Sequence, residues 1–239
     1  MPGEEFVVPL GQSASVRSKY FRINSLIIVC LFALSMISIL ILESTDNRVL
    51  KFFAWRFNHD VEQSVPTIYN YFLLVSNFGL LTYVFLIKRT QKDSDSVYWL
   101  ILAVVMFLMG YDEAAQVHEK FTQPMRSILP ESPLWHFSWT PIGAFFALVV
   151  GGFYLPFLMR LPKAVASLMA LAGATYLFGA LMVETLGGWV DFYNDDRGWR
   201  FFLLATIEES FEMLGMVIFG YALLRQISFL QNDDNPASA

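Results

Sequence analysis

The sequence predicts an all-α, polytopic membrane protein with six transmembrane helices and a short extracytoplasmic interfacial helix. Three observations carry that expectation: composition, apolar run length and basic flanks. Of 239 residues, 56% are hydrophobic and only 15% charged, where an ordinary soluble domain is about 45–50% apolar and about 25% charged. Mean hydropathy is +0.49. Apolar windows of about 20 residues, long enough to cross a hydrocarbon core of about 30 Å, fall at 24–43, 66–87, 97–117, 140–160, 164–185 and 200–224. They are continuous rather than alternating in ten-residue segments, so the spans read as helices and not as barrel strands. A formal charge of −5 offers no basic face to a phosphate backbone, which excludes nucleic acid as a partner. The single cysteine, Cys30, excludes a disulfide scaffold.

Residues 1–23 bring Arg17, Lys19 and Arg22 to the start of the first span with no small-residue cleavage site, which reads as the cytoplasmic end of an uncleaved anchor. Between the first two spans, Asn47 to Phe57 places Val49, Leu50, Phe53 and Phe57 on one helical face, the pattern of a helix lying in the membrane interface. The second span ends at Lys88-Arg89-Thr90-Gln91-Lys92, and the fourth turns into the fifth through Arg160-Leu161-Pro162-Lys163. The sixth ends at Arg225. Basic residues thus flank every second helix end, which places both termini in the cytoplasm, the chain in the inner membrane, and 229–239 as a cytoplasmic tail behind a 24–228 transmembrane domain. Trp135, Trp139, Trp189, Tyr193 and Trp199 suit an aromatic belt on the outer side. Gly151-Gly152 and Gly179 suit close helix contacts.

The informative residues are the ionisable ones. The third span closes with Tyr111-Asp112-Glu113-Ala114-Ala115-Gln116-Val117-His118-Glu119, the fifth with Glu184 and then Asp191, and the sixth contains Glu208, Glu209 and Glu212. With the sixth helix starting near Arg200, Glu208 lies about 12 Å and Glu212 about 18 Å along it, at hydrocarbon depth. A carboxylate at the helix centre costs about 2.5–3.5 kcal/mol even on the lenient insertion scale. Glu208 and Glu212 share a face at i,i+4, and Asp112, Gln116 and Glu119 share one by the same rule, so two acidic faces are expected to meet across a helix interface. Either rim bases (Lys120, Arg126, Arg197, Arg200) and hydroxyls neutralise them as a structural network, or a cation or proton does.

All three histidines, His59, His118 and His136, fall on the outer side. His118 beside Glu119, with His136 returned by a loop holding Pro124, Pro130 and Pro133, makes a mixed nitrogen and oxygen donor set. Together with Asp112, Glu113, Glu184, Glu208, Glu209 and Glu212 it is a candidate site for a divalent metal, Fe, Mn or Zn. No lysine lies within a span to anchor a Schiff base, and Walker, Rossmann, Gly-x-Ser-x-Gly and His-Glu-x-x-His patterns are missing.

The stretch Asp60-Val61-Glu62-Gln63-Ser64-Val65-Pro66-Thr67, the box from Asp112 to Glu119, and Glu208-Glu209-Ser210-Phe211-Glu212-Met213-Leu214-Gly215 followed by Tyr221-Ala222-Leu223-Leu224-Arg225 resemble a group of uncharacterised bacterial six-helix inner-membrane proteins. The resemblance runs from about residue 55 to 228. It implies an architecture and carries no activity.

Three function classes remain. One is a metal-dependent membrane enzyme acting on a lipid-like or otherwise apolar small molecule. The second is a transporter or channel using the carboxylates as a cation or proton relay, for which the inner halves of the spans offer almost no ionisable group. The third is an accessory or sensor subunit without chemistry of its own.

Overall fold

A computed structural model describes residues 14–61, 63–128, 131–194 and 198–233, excluding the side chains at 118, 119, 121, 123, 126, 232 and 233. Of the expected cytoplasmic ends, 1–13 and 234–239 lie outside the described residues, as do Pro130 and Arg197. Nine α-helices are described: α1 (Ala14–Ser44), α2 (Arg48–Trp55), α3 (Val65–Thr90), α4 (Ser96–Ala115), α5 (Val117–Arg126), α6 (Thr140–Leu158), α7 (Lys163–Leu177), α8 (Glu184–Tyr193) and α9 (Trp199–Asp233). A 3₁₀ turn, Pro133–Trp135, precedes α6, and a π-helical turn, Phe178–Val183, joins α7 to α8 in one continuous rod. No strand occurs among the described residues. Six helices are long and apolar enough to cross a membrane: α1, α3, α4, α6, the α7–α8 rod and α9.

Each of the six expected spans matches one of these helices, with three extended ends: the α7–α8 rod runs to Tyr193 rather than stopping near 185, α1 begins at Ala14 rather than near 24, and α9 runs to Asp233 rather than stopping near 224. The α1 and α9 overhangs support each other: the Arg17 guanidinium donates to Ser228 Oγ at 2.8 Å. A fourth difference matters more. The acidic box does not continue one helix to Glu119, because Gln116 takes a left-handed conformation (φ 53°) and its N–H closes on Asp112 O at 2.7 Å. α4 therefore stops at Ala115 and α5 leaves in a new direction, so Asp112, Gln116 and Glu119 do not share a helical face.

Between α1 and α3, Asn47 Oδ1 accepts from Val49 N and Leu50 N and starts α2, whose Val49, Leu50, Phe52 and Phe53 are exposed while Ala54 is buried. Ser64 caps α3, with Pro66 in its first turn, where a missing N–H costs nothing.

α9 is the central element. Its most apolar 18-residue stretch is 78% buried, against 11% for that of α6. It meets α1 through the Ser35–Thr206 hydroxyl pair (2.8 Å) and α3 through Asn77 Nδ2, which donates to Met216 O at 2.9 Å. It approaches the α7–α8 rod at two glycines. A Cβ on Gly215 would stand 2.8 Å from Tyr176 N and 3.0 Å from Ala172 O, and one on Gly179 would stand 2.7 Å from Glu208 O. Gly179 thus packs as expected, whereas a Cβ on Gly151 or Gly152 would meet nothing within 4 Å.

α6 is held by its ends. At one end Tyr98 stacks on Phe157 (4.8 Å between centroids), the Tyr154 hydroxyl donates to Tyr98 O at 2.8 Å, and Arg160 grips Asp95 through both carboxylate oxygens. That partnership holds the Arg160 guanidinium above its ordinary pKa, the Asp95 hydrogen bond being the largest cause. At the other end Trp139 reaches Glu184 on α8, and His136 just ahead of the helix pairs with Asp191.

Candidate functional site

A cavity of about 690 Å³ opens between these two anchor points, walled by α4, α6, the α7–α8 rod and α9. Its composition is sharply divided. Asp112, Glu113, Glu184, Glu208, Glu209 and Glu212 line one end, with Trp139 and Tyr176, while Leu102, Met106, Val150, Tyr154, Met169 and Phe219 represent the apolar remainder. No Lys, Arg or His is among the described lining residues.

Each acid arrives for a local reason. Asp112 and Glu113 occupy the last turn of α4, just before the left-handed Gln116 diverts the chain. Glu184 is the first residue of α8, directly after the π-helical turn. Such a wide turn re-aims the side chains that follow it, and Gly179 in that turn lets the rod approach the α9 backbone at Glu208. Glu208, Glu209 and Glu212 fall on neighbouring positions of α9, with Glu212 only 7% exposed.

Two neutral side chains organise the acids. Asn70 on α3 is fully buried, and its Nδ2 lies 3.3 Å from Glu113 Oε1 and 3.5 Å from Glu209 Oε2, so one amide links carboxylates of α4 and α9. Trp139 Nε1 donates to Glu184 Oε1 at 2.6 Å. Tyr176 and Glu208 line the same end of the cavity. Acids of α4 and α9 do come together, but through Asp112 and Glu113 rather than through the expected Asp112, Gln116 and Glu119 face.

Of the rest of the expected donor set, His136 is not drawn in. His136 Nε2 faces Asp191 Oδ2 at 2.9 Å in the loop ahead of α6. His118 and Glu119 belong to α5, and their side chains lie outside the described residues. Among the described residues no three His, Cys, Asp or Glu side chains converge closely enough to hold a metal ion. Sequence reasoning passed over Asn70, Trp139 as an acid partner, and Tyr176. Asn70 had a usable signal: it and Asn77 recur seven residues apart, on one face of an apolar span, where polar groups are costly unless they serve a purpose.

Outside the spans, His59 in the α2–α3 loop is 4% exposed, and neither ring nitrogen has a hydrogen-bond partner of ordinary geometry among the described residues. Burial pushes its imidazole down to about 4, with the Phe57 backbone opposing.

A family model described as a domain of unknown function, DUF8692, matches residues 25–227. The chain belongs to the DUF8692 family. The match takes in every acid at the cavity and extends over all six apolar helices. No curated protein and no solved structure matches the chain.

Proposed function

We propose that this DUF8692 protein sits in a bacterial inner membrane with both termini cytoplasmic and takes an amphipathic, lipid-like molecule into the cavity beside α6. The head of that molecule lies among the carboxylates and its tail against the apolar walls. α2 lies in the outer interface, its exposed Val49, Leu50, Phe52 and Phe53 facing lipid. The observation that carries this reading is the division of the cavity into an acidic end and an apolar remainder within one volume of about 690 Å³, a size typical of small-molecule sites. Among the described residues the apolar remainder offers no Asp, Glu, His, Lys or Arg for a second half-path, so the arrangement favours a bound molecule over ion translocation.

The test is extraction. Protein purified in mild detergent should retain a near-stoichiometric amphiphile detectable by mass spectrometry, and Gly173→Phe should lose it. A Cβ at Gly173 meets nothing within 4 Å and the residue lines the cavity, so the new ring has room to enter it. Retention of the same molecule by the filled variant would overturn the reading.

A divalent cation, Fe, Mn or Zn, is a second reading, favoured by six carboxylates at one cavity end with no basic lining residue. Asp112, Glu113, Glu184, Glu208, Glu209 and Glu212 would hold it after local movement brings three or more of them together, with His118 and Glu119 from α5 and His136 as further donors. Bound there, it would make the protein an enzyme that activates water or oxygen against the apolar molecule. Metal analysis of wild type beside Glu208→Gln decides: stoichiometric metal lost on substitution supports the enzyme, and wild type free of metal without chelator removes it.

A further inference from the structure

The length of the tail follows from how the cavity ends. This step rests on the reading of the cavity as a binding site, and it draws on the apolar remainder alone. Away from the acids, each wall changes from cavity lining to solid core within about one helical turn. On α4 the last lining residue is Leu102, and Trp99, one turn further, is wholly buried and does not reach the cavity. On α7 Met169 lines the cavity while Val165 is wholly buried, and on α9 Phe219 lines it while Leu223 is wholly buried. On α6 Phe157 is wholly buried between the lining residues Tyr154 and Leu158. The four buried side chains belong to one packed core. Its rings interlock, since Phe157 stacks on Tyr98 at 4.8 Å and meets Trp99 edge to face at 5.2 Å between centroids. The Tyr154 hydroxyl is donated to Tyr98 O, which ties the lowest part of the wall to the same cluster. The cavity is therefore blind at this end, and a close-packed floor takes no extra methylene without strain.

The depth is set by the same helices. From Asp112 to Leu102 on α4, and from Glu212 to Leu223 on α9, a rise of about 1.5 Å per residue gives about 15–16 Å between the acids and the floor. An extended hydrocarbon zigzag, with bonds of about 1.5 Å, advances about 1.3 Å per carbon, so about a dozen carbons span that depth. Room beside the chain is left by Gly151 on α6 and Gly173 on α7, which both line the cavity and at which an added Cβ would meet nothing within 4 Å. The volume of about 690 Å³ is that of a site for one small molecule. From these observations we infer that the cavity selects its ligand by length: it takes a single hydrocarbon chain of about a dozen carbons, its terminal methyl against the Trp99–Phe157 floor, and turns away longer chains on the same head.

The experiment uses full-length protein in phosphatidylcholine nanodiscs and the straight-chain alcohols octanol, decanol, dodecanol, hexadecanol and octadecanol. An alcohol head both donates and accepts, so it presupposes nothing about charge at the polar end. The reading is the saturable rise in unfolding midpoint against the mole fraction of alcohol in the bilayer, which cancels partitioning. Moving a chain from lipid to an apolar wall gains little by itself, so the signature is an optimum. Short chains leave the floor without contacts, and long ones exceed the depth. Apparent affinity should peak at dodecanol and fall about tenfold or more at hexadecanol and octadecanol. Gly173 lies one turn, about 6 Å, above Met169, so Gly173→Leu should raise the floor and move the optimum to octanol or decanol. Gly151→Leu provides the same reading from α6 if the first variant fails to fold. If affinity holds or rises through octadecanol while Gly173→Phe abolishes it, the cavity is a binding site and the length inference is wrong. An optimum that stays at dodecanol in both leucine variants also overturns it. If no alcohol shifts the midpoint, the length inference falls; loss of the co-purified molecule from Gly173→Phe then keeps the binding reading, and its retention removes both.

Discussion

Where α9 meets the α7–α8 rod, backbones approach until only glycine fits, and where it meets α1 and α3, polar side chains bond across the contact. Beside α6 the molecule is built another way, with Gly151 and Gly173 facing open space and the helix held at its two ends. The contrast teaches what positions a helix in lipid. Apolar burial gives no net drive there, because lipid tails are as apolar as leucine. α9 is fixed by close packing and by the Ser35–Thr206 and Asn77–Met216 bonds. α6 is fixed by the Arg160–Asp95 fork, the Tyr98–Phe157 stack and the Trp139–Glu184 bond, and a gap between anchors is tolerated. That gap is the cavity, so the loosely packed region is the one that can take up a molecule.

The strongest way to break the comparison is to insert a side chain on each side. Gly215→Leu drives a branched chain into the Tyr176 and Ala172 backbone, which cannot swing aside, and should cost about 3 kcal/mol or more. Gly173→Leu enters the cavity instead. Replacing a helix-interior glycine with leucine is itself favourable by up to about 1 kcal/mol, so its unfolding midpoint should hold or rise. Thermal unfolding in detergent reads both. Equal losses would mean that the α6 side is as closely packed as the α7–α9 contact.

A second effect tests the cost of burying polarity on the packed side, at His59. Its folded pKa of about 4 lies below the unfolded value of 6.5. Between those values the unfolded chain takes up a proton that the folded one refuses, so stability falls as pH drops from about 6.5 to about 4 and levels off below. A gap of about 2.5 units corresponds to at most about 3.5 kcal/mol. His59→Gln should flatten that stretch of the pH profile of unfolding. A slope of unchanged steepness in the variant would assign the acid sensitivity to other groups.

These two cases also mark what could be read from the sequence. Six spans were legible because length and hydropathy alone satisfy the bilayer, and the meeting of Asp112 and Glu113 with Glu208, Glu209 and Glu212 followed from the cost of facing lipid. The end of α4 was not legible: Gln116 is neither glycine nor asparagine, and a left-handed glutamine carries no local signature. Nor was the cavity, since it exists through the absence of packing beside α6, and a hydropathy window reads the same for a packed helix as for one that stands off. The role of Trp139 was hidden because an interfacial tryptophan and one bonded to a cavity-lining glutamate look alike in sequence.

The smallest expected effect concerns that tryptophan and sharpens the claim that α6 is held by its ends. Trp139→Phe keeps the ring and removes the N–H bonded to Glu184. A hydrogen bond to a charged group contributes about 1.5–3 kcal/mol net, and the lower end applies because Trp139 is only partly buried. The loss should fall on α6 and leave α9 in place. A reporter at Gly151→Cys, in a Cys30→Ser background, should then react faster with a membrane-permeant maleimide while the global unfolding midpoint drops only slightly. If labelling stays unchanged and the midpoint falls as far as in Gly215→Leu, α6 is bound into the bundle along its whole length and the contrast with α9 does not hold.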